Sequence, residues 1–321
     1  MILSASRRTD IPAYYSEWFL NRIKEGFLYV RNPMNPHQIS RIDLSPEVVD
    51  CIVFWTKNPI DMMGRLGALE RYPYYFQFTL TGYGKDMEPN LPDKREVLIP
   101  AFRKLSERIG KERVIWRYDP VLVNRRYTAA YHVKAFGEIA DSLADHTRKV
   151  VISFVDMYAK LRRNARIFGF GEVASEDMVY LAGEMARIAA EHGLAIESCA
   201  EQADLREAGI RHGSCIDQRL IEEITGCSLS GGKDRNQRKE CGCLESIEVG
   251  TYDTCLNGCR YCYANHGDGK VRETAGLYRA DSPLLCGEVG AEDKVTDRKV
   301  KSLKDAPMRW FSCGRRVRML E

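Results

Sequence analysis

Short and almost uninterrupted hydrophobic runs recur along the first two-thirds of the chain, and polar stretches separate them. Runs of this length and composition are typical of strands that are buried on both faces of a parallel sheet. The pattern therefore predicts successive βα units around one parallel sheet. Six strands are predicted, at residues 1–6, 51–57, 74–81, 113–119, 149–156 and 194–199.

Helical periodicity occupies several of the intervals between these strands, and we place the hydrophobic faces of those helices in the core. Asp93 and Glu96 precede one such stretch in an arrangement like a capping box. Ser45 followed by Pro46 predicts the start of a further helix. Hydrophobic residues three or four positions apart predict helices over 98–109, 133–143 and 178–188.

The fold class follows from the number and order of these units. No glycine-rich phosphate-binding turn follows the first strand, although a doubly wound dinucleotide-binding fold would require one. The sequence therefore predicts an α/β protein with a (β/α) barrel, partial and built from about six parallel strands. An irregular cysteine-rich segment is expected to follow the barrel.

A change in composition marks the boundaries of these parts. The periodicity stops at 227–245, which is rich in glycine and charge. Residues 244–252 then predict one more short strand. We accordingly divide the chain into a partial barrel (1–226), a cysteine-rich segment that closes the barrel face (227–266) and a tail that wraps the domain (267–321).

Polar residues stand at or near the end of each predicted strand. In a parallel barrel the carboxyl ends of the strands and their loops form the active-site face. We therefore expect these side chains to meet at one face of the protein. They are Ser4, Ser6, Arg7, Arg8, Thr56, Lys57, Asn58, Thr79, Thr81, Arg117, Asp119, Ser153, Asp156, Glu197 and Ser198.

Eleven cysteines are present, and ten of them follow residue 198. No apolar leader segment follows Arg7 and Arg8, and no stretch approaches the roughly 20 apolar residues that cross a bilayer. We therefore expect a cytoplasmic protein, in which thiols stay reduced and serve metal or redox chemistry rather than disulfides. A formal net charge of +3 gives no strong electrostatic case for nucleic acid.

Three of the cysteines form a compact motif, CLNGCRYC, at Cys255, Cys259 and Cys262. Thiolates are soft ligands that select zinc or iron–sulfur clusters. A structural zinc site takes four protein ligands. Three cysteines instead suit a 4Fe–4S cluster whose remaining iron is open to another molecule.

This motif resembles that of the radical S-adenosylmethionine enzymes, in which an aromatic residue also precedes the last cysteine. The resemblance implies that Cys255, Cys259 and Cys262 bind three irons of a 4Fe–4S cluster and that S-adenosylmethionine chelates the fourth. It further implies that one electron from the cluster releases a 5′-deoxyadenosyl radical, which abstracts a hydrogen atom from the substrate. Tyr261 would lie against the adenine. A reducing partner such as flavodoxin or ferredoxin is expected.

Longer phrases of the chain, including SASRRTDIPA, FWTKNP, WRYDP and KDRNQRKECGC, resemble a family of uncharacterised domains with a cysteine-rich C-terminus. That family's barrel is similar to the spore photoproduct lyase branch of the radical S-adenosylmethionine enzymes. By this resemblance Lys57, Arg117 and Asp119 would act in catalysis. The residues expected to contact the cofactor are Tyr261, Asn265, Ser153 and Glu197.

The order of parts differs from the superfamily, in which the three cysteines follow the first strand of the barrel. A permuted order would resolve the difference, with the short strand at 244–252 lying beside the first strand of the chain. The loop after it would then bring the cysteines onto the open face of the barrel.

Four further cysteines form a second candidate set. They can supply a complete site for an auxiliary 4Fe–4S cluster or a structural zinc, or Cys199 and Cys215 can be buried small hydrophobes. Cys227, Cys286 and Cys313 show no partner pattern. The four candidate ligands are Cys199, Cys215, Cys241 and Cys243.

Three functions remain open at this point. The first is a radical S-adenosylmethionine enzyme, of lyase or oxidoreductase type, acting on an unidentified small-molecule or macromolecular substrate. The second is an iron–sulfur or zinc protein that transfers electrons or senses without S-adenosylmethionine turnover. The third is a lesion-repair lyase acting on nucleic acid, suggested by the lyase-like barrel, by Arg7 and Arg8 and by the mildly basic tail at 270–321.

Overall fold

A computed structural model describes residues 1–307 of the protein, and these residues form thirteen strands. Eight of them form one large sheet, and the others form two small sheets. Numbered along the chain, they are β1 (Ile2–Ala5), β2 (Phe27–Asn32), β3 (Asn35–Asp43), β4 (Cys51–Thr56), β5 (Tyr74–Thr79), β6 (Val114–Val121), β7 (Lys149–Phe154), β8 (Ala195–Cys199), β9 (Arg211–Gly213), β10 (Cys227–Leu229), β11 (Ser246–Glu248), β12 (Lys294–Asp297) and β13 (Lys304–Pro307).

Helices join most of the strands of the large sheet. Short 3-10 helices and a single π-helical turn at Lys94–Leu98 occupy further connections. The α-helices are α1 (Ile11–Tyr14), α2 (Ser16–Glu25), α3 (Ile60–Met63), α4 (Ile99–Ile109), α5 (Ala129–Leu143), α6 (Arg162–Phe168), α7 (Ser175–Glu191), α8 (Gln218–Thr225) and α9 (Asp268–Ala275).

The large sheet has the order β11-β1-β4-β5-β6-β7-β8-β9, and every neighbouring pair runs parallel. Each of the six predicted hydrophobic runs overlaps one of its strands. The sheet is open, because the edge strands β11 and β9 do not pair with each other in the described residues. The protein is therefore an α/β protein built on an eight-stranded parallel sheet.

The strand β11 occupies the position that the permuted order predicts. It pairs in parallel with β1, with Ile2 opposite Ser246 and Ser4 opposite Glu248. The last strand of the sheet in the chain thus lies beside the first. This pairing brings the segment that follows Glu248 to the same edge as the segment that follows Ala5.

The helices pack their predicted hydrophobic faces against the sheet. Phe102 and Leu105 of α4, Phe136 of α5, and Leu181 and Met185 of α7 are all fully buried. At the start of the π-helical turn, the Asp93 side chain accepts a hydrogen bond from the backbone N–H of Glu96 at 2.8 Å. The predicted cap at Asp93 is therefore present, whereas the described residues show no return bond from the Glu96 side chain.

One local prediction is wrong, and one element was not predicted. Residues 45–49 form a turn rather than a helix, with the N–H groups of Val48 and Val49 both bonded to the carbonyl of Ser45. The segment from Phe27 to Asp43 folds into the antiparallel hairpin β2–β3, which the hydrophobic pattern does not reveal. The first four residues of β3 are exposed, so this strand lacks a continuous hydrophobic run.

The tail adds strands to the small sheets, although its sequence shows only weak patterns. Strand β12 extends the hairpin by pairing in parallel with β3, and β13 pairs antiparallel with β10. Residues 308–321, which include Cys313, lie outside the described residues. Among residues 1–307, no helix is both long enough and apolar enough to cross a membrane.

Candidate functional site

A cavity of about 380 Å³ opens at the carboxyl ends of the strands of the large sheet. Both candidate cysteine sets line it, together with most of the polar strand-end residues. Glu197 and Asn265 do not line it. The predicted site residues that do are Lys57, Arg117, Asp119, Ser153, Cys199, Cys215, Cys241, Cys243, Cys255, Cys259, Tyr261 and Cys262.

The alternation of side chains along each strand explains why these residues meet. On β6, Arg117 and Asp119 fall on one face, and Trp116 and Tyr118 fall on the other, where they pack in the helix-covered core. Ser153 lies on the same side of β7 as Val151. The helix-side face of β6 thus carries aromatic core residues, while Arg117 and Asp119 of β6 and Ser153 of β7 line the cavity on the other face of the sheet.

The loop that carries Cys255, Cys259 and Cys262 is held to the sheet edge by Glu248. The Glu248 carboxylate accepts hydrogen bonds from the Ser4 hydroxyl at 2.8 Å, from the Arg7 backbone N–H at 3.0 Å and from the Gly250 N–H at 2.9 Å. The Ser6 hydroxyl donates a further bond to it. The entry to the three-cysteine loop is thereby tied to the segment after β1.

Within this loop the backbone turns so that all three cysteines reach the cavity. Gly258 has a φ of +68°, a conformation that glycine adopts without steric cost. The sulfur of Cys262 accepts a hydrogen bond from the N–H of Ala264 at 3.3 Å. Burial raises the pKa of Cys259 to about 12, although the nearby charge of Lys57 opposes the shift.

Asn265 lies behind this loop rather than in the cavity. Its side-chain amide donates to the carbonyl of Cys255 at 2.8 Å. Its Oδ1 atom is buried and has no hydrogen-bond partner among the described residues. Glu197 likewise turns away from the cavity and binds the Lys149 ammonium at 2.9 Å.

Lys57 is anchored by two buried partners at the mouth of the three-cysteine loop. Its Nζ atom lies 2.8 Å from Glu88 Oε1 and 2.9 Å from the hydroxyl of Tyr261. The Tyr261 hydroxyl and Lys94 also donate to Glu88. Burial opposes the charge on Glu88, but the Lys57 and Lys94 ammonium groups outweigh it and lower the Glu88 pKa to about 2.

Arg117 lies across the cavity in a fixed orientation. Its Nη2 and Nε atoms donate to Asp119 Oδ2 at 2.6 and 3.1 Å, and its Nη1 atom donates to the sulfur of Cys215 at 2.8 Å. The Ser153 hydroxyl donates to the other Asp119 oxygen. These three residues form a connected polar group between the sheet and the second cysteine set.

The second set brings four cysteines together, and all four are buried. The sulfurs of Cys199 and Cys215 lie 2.9 Å apart, and the N–H of Ile216 donates to the sulfur of Cys243 at 3.4 Å. Contacts from the Cys199 and Cys243 thiols, and the charge of Arg117, hold the pKa of Cys215 well below its usual value. The Cys215 sulfur thus lies in hydrogen-bond contact with a guanidinium group.

Neither set of cysteines is already arranged around the position of one metal ion. Within residues 1–307, no group of three or more His, Cys, Asp or Glu side chains is arranged to hold one metal ion. Cys227 and Cys286 are free and lie outside the cavity lining.

Several residues that organise the site were not anticipated from the sequence, notably Asp10, Glu88 and Glu248. Asp10 accepts bonds from the Thr56 hydroxyl, the Lys57 N–H and the Asn257 amide, so it joins the segment after β1 to β4 and to the cysteine loop. The one available signal was Asp10 itself, which stands before Ile11-Pro12 as a helix cap would. No pattern marks Glu88 or Glu248.

A search of curated proteins finds no match to this chain. Among solved structures, a Bacteroides thetaiotaomicron protein assigned as an alpha-L-fucosidase is similar over 55% of this chain and 71% of its own, at 13% identity and a TM-score of 0.26. The family described as "Domain of unknown function (DUF1848)" matches residues 2–264. Because that match spans the whole parallel sheet and the cysteine loop, the chain belongs to this family of uncharacterised domains.

Proposed function

We propose that the protein is a radical S-adenosylmethionine enzyme whose three-cysteine loop holds a 4Fe–4S cluster. The observation that carries the proposal is the position of Cys255, Cys259 and Cys262 on one cavity with the polar ends of β4, β6 and β7. In this proposal the open sheet acts as a partial barrel, and β11 delivers the loop to its active-site face.

The donor set of the loop fits such a cluster. Three soft sulfur ligands come from eight consecutive residues, whereas a closed structural zinc site would need a fourth. The Ala264 N–H already donates to the Cys262 sulfur, and hydrogen bonds to sulfur stabilise thiolates in iron–sulfur proteins. The neighbouring ammonium group of Lys57 adds a positive charge beside Cys259.

When bound, a 4Fe–4S cluster and S-adenosylmethionine supply a 5′-deoxyadenosyl radical that removes a hydrogen atom from a substrate. The chain's own residues then have to bind, orient and shield the reactants. Tyr261 is well placed for this task, because Glu88 and Lys57 fix its hydroxyl and Tyr83 packs against its ring at 5.3 Å. A fixed ring offers a rigid surface for a flat base such as adenine.

The opposite wall of the cavity suits substrate binding. Arg117 and Asp119 hold each other, and Ser153 binds the same carboxylate, so their polar atoms are ordered before anything binds. Preorganised groups of this kind can position a reactant without a further free-energy cost of rearranging side chains during the reaction. Lys57 is held in the same way, since Glu88 and Tyr261 already bind its ammonium group.

The direct test is the formation of 5′-deoxyadenosine. Anaerobically reconstituted protein is reduced with dithionite, or with a flavodoxin or ferredoxin system, and incubated with S-adenosylmethionine. The proposal expects 5′-deoxyadenosine in the wild type and none in a variant with Cys255, Cys259 and Cys262 changed to alanine. A Cys286→Ala variant is the matched control and is expected to keep the activity, because Cys286 does not line the cavity.

Loaded, reduced protein that produces no 5′-deoxyadenosine would overturn the proposal. An iron–sulfur protein without S-adenosylmethionine turnover would then be the better description. Cleavage that persists in the triple-alanine variant would also contradict it, because the three-cysteine loop would not be the site.

A further inference from the structure

The four buried cysteines opposite the three-cysteine loop come from separate parts of the chain. Cys199 ends β8, Cys215 follows β9, and Cys241 and Cys243 belong to the irregular connector before β11. Their side chains meet on the inner face of the sheet and line the cavity. Burial alone is compatible with an ordinary apolar core, in which cysteine behaves as a small hydrophobe.

The charged neighbours of these cysteines do not fit an ordinary core. Arg117 donates to the Cys215 sulfur at 2.8 Å. Arg7 extends toward the same cavity, and one of its terminal nitrogens is buried without a hydrogen-bond partner among the described residues. A buried guanidinium group is costly unless it is paired with negative charge. Arg117 is paired with Asp119, and Arg7 lies 4.0 Å from Asp234, yet both guanidinium groups also line the cavity beside the four thiols. This surplus of positive charge favours a site whose sulfurs carry negative charge.

We propose that Cys199, Cys215, Cys241 and Cys243 are the ligands of an iron–sulfur cluster that is separate from the three-cysteine loop. Four thiolates satisfy the ligand requirement of such a cluster completely. No iron would then be left open to a small molecule, so this centre serves electron transfer. The proposal does not depend on S-adenosylmethionine chemistry at the other set.

The space beside the sulfurs favours a cluster over a single zinc ion. All four cysteines open onto the cavity, whereas a structural zinc ion fills the small space between its own ligands. Two thiolates on a tetrahedral zinc ion lie about 3.8 Å apart, and the Cys199 and Cys215 sulfurs lie 2.9 Å apart. Both centres would need these side chains to rotate apart, and the cavity provides the room into which they can move.

The backbone around the set supports the same assignment. The N–H of Ile216 donates to the Cys243 sulfur at 3.4 Å, and hydrogen bonds to the ligating sulfurs are among the features that set the properties of iron–sulfur centres. The cysteines are free rather than disulfide-bonded, since a disulfide would place its sulfurs about 2.05 Å apart. A metal centre would tie the connector to β8 and β9.

The test uses the full chain with Cys255, Cys259 and Cys262 changed to alanine, purified anaerobically. The proposal expects about four irons and about four acid-labile sulfides per chain, with less than one-tenth as much zinc, and an EPR signal after reduction. Stoichiometric zinc would overturn the proposal. So would fully reactive thiols without metal, or a Cys199–Cys215 disulfide identified by mass spectrometry.

The reciprocal variant changes Cys199, Cys215, Cys241 and Cys243 to serine. It is expected to lose about half of the wild-type iron, whereas a Cys227→Ser variant, the matched control, retains all of it. If the fourfold variant does not fold, the triple-alanine protein still decides the question. Iron in the triple-alanine protein together with no 5′-deoxyadenosine from the wild type would support this inference while overturning the proposed function.

Discussion

The Nζ atom of Lys57 lies 2.8 Å from the Oε1 atom of Glu88, which is buried beside the three-cysteine loop, and the Lys57 side chain is only 14% exposed. The sequence separates Glu88 from Tyr261 by 173 residues, yet the Tyr261 hydroxyl binds the same carboxylate. Glu88 therefore binds three side chains, those of Lys57, Lys94 and Tyr261. Its negative charge holds this part of the site together.

Replacing Glu88 with glutamine is expected to destabilise the protein by about 3 kcal/mol, because two largely buried ammonium groups lose their shared, fully buried carboxylate. The measurement is urea unfolding of wild type and variant prepared in the same way. Glu138→Gln is the matched control, since Glu138 is 46% exposed and pairs with Arg95 at the surface. Its expected cost is below about 1 kcal/mol. Equal effects at the two positions would show that the Glu88 charge is not structural.

The junction between β1 and β11 is tested at Gly250. A β-carbon there would lie 2.6 Å from Ser6 Cβ and would contact the Ser6 hydroxyl, which binds Glu248. We expect Gly250→Ala to cost about 2 kcal/mol, because the crowded site must shift, and to increase amide hydrogen exchange in residues 246–250. Gly232→Ala is the control, because nothing lies within 4 Å of its β-carbon. A neutral Gly250→Ala would contradict the packing described for this junction.

His132 makes stability depend on pH. Its Nε2 atom lies 2.7 Å from the carbonyl of Leu122, so Nε2 carries the proton and Nδ1 accepts from the Tyr118 hydroxyl at 2.8 Å. Burial lowers the His132 pKa to about 4. Because the folded-state pKa lies below the value of about 6.5 in the unfolded chain, the neutral residue favours folding above that pH. This contribution is lost as the pH falls from about 6.5 to 4.

The expected loss from this residue is about 3 kcal/mol over that interval. A His132→Gln variant should show a correspondingly smaller decrease in unfolding free energy between pH 6.5 and 4, measured by urea titrations. The control is His37→Gln, because His37 is 61% exposed, and it should keep the wild-type pH dependence. A His132→Gln protein with the full wild-type dependence would refute the assignment.

The strands were predictable because each central strand is buried on both faces and so has a continuous hydrophobic run. The hairpin β2–β3 was not predictable for the opposite reason, since much of β3 is exposed and polar. Strand β9 has only three residues and no distinctive pattern. At Ser45 and Pro46 the cap-like pair precedes no helical periodicity, and a turn forms there instead.

The cysteines of the site were recognisable because few residue types bind soft metals, and their spacing restricts what they can hold. Their supporting residues were not recognisable. Glu248 binds Ser4 across 244 positions of the chain, and Asp10 binds Asn257 across 247. An acidic residue that acts only through such long-range contacts looks in the sequence like any other carboxylate. The pairing of β11 with β1 creates these contacts, and only the folded chain displays them.

The most direct measurement of the central claim is the EPR spectrum of the reduced, reconstituted protein with and without S-adenosylmethionine. If the three-cysteine loop holds a cluster with one iron open to that molecule, its addition should shift the g values of one signal. The shift should be absent when Cys255, Cys259 and Cys262 are replaced by alanine. Identical spectra with and without S-adenosylmethionine, from protein whose loop is loaded with iron, would contradict the account.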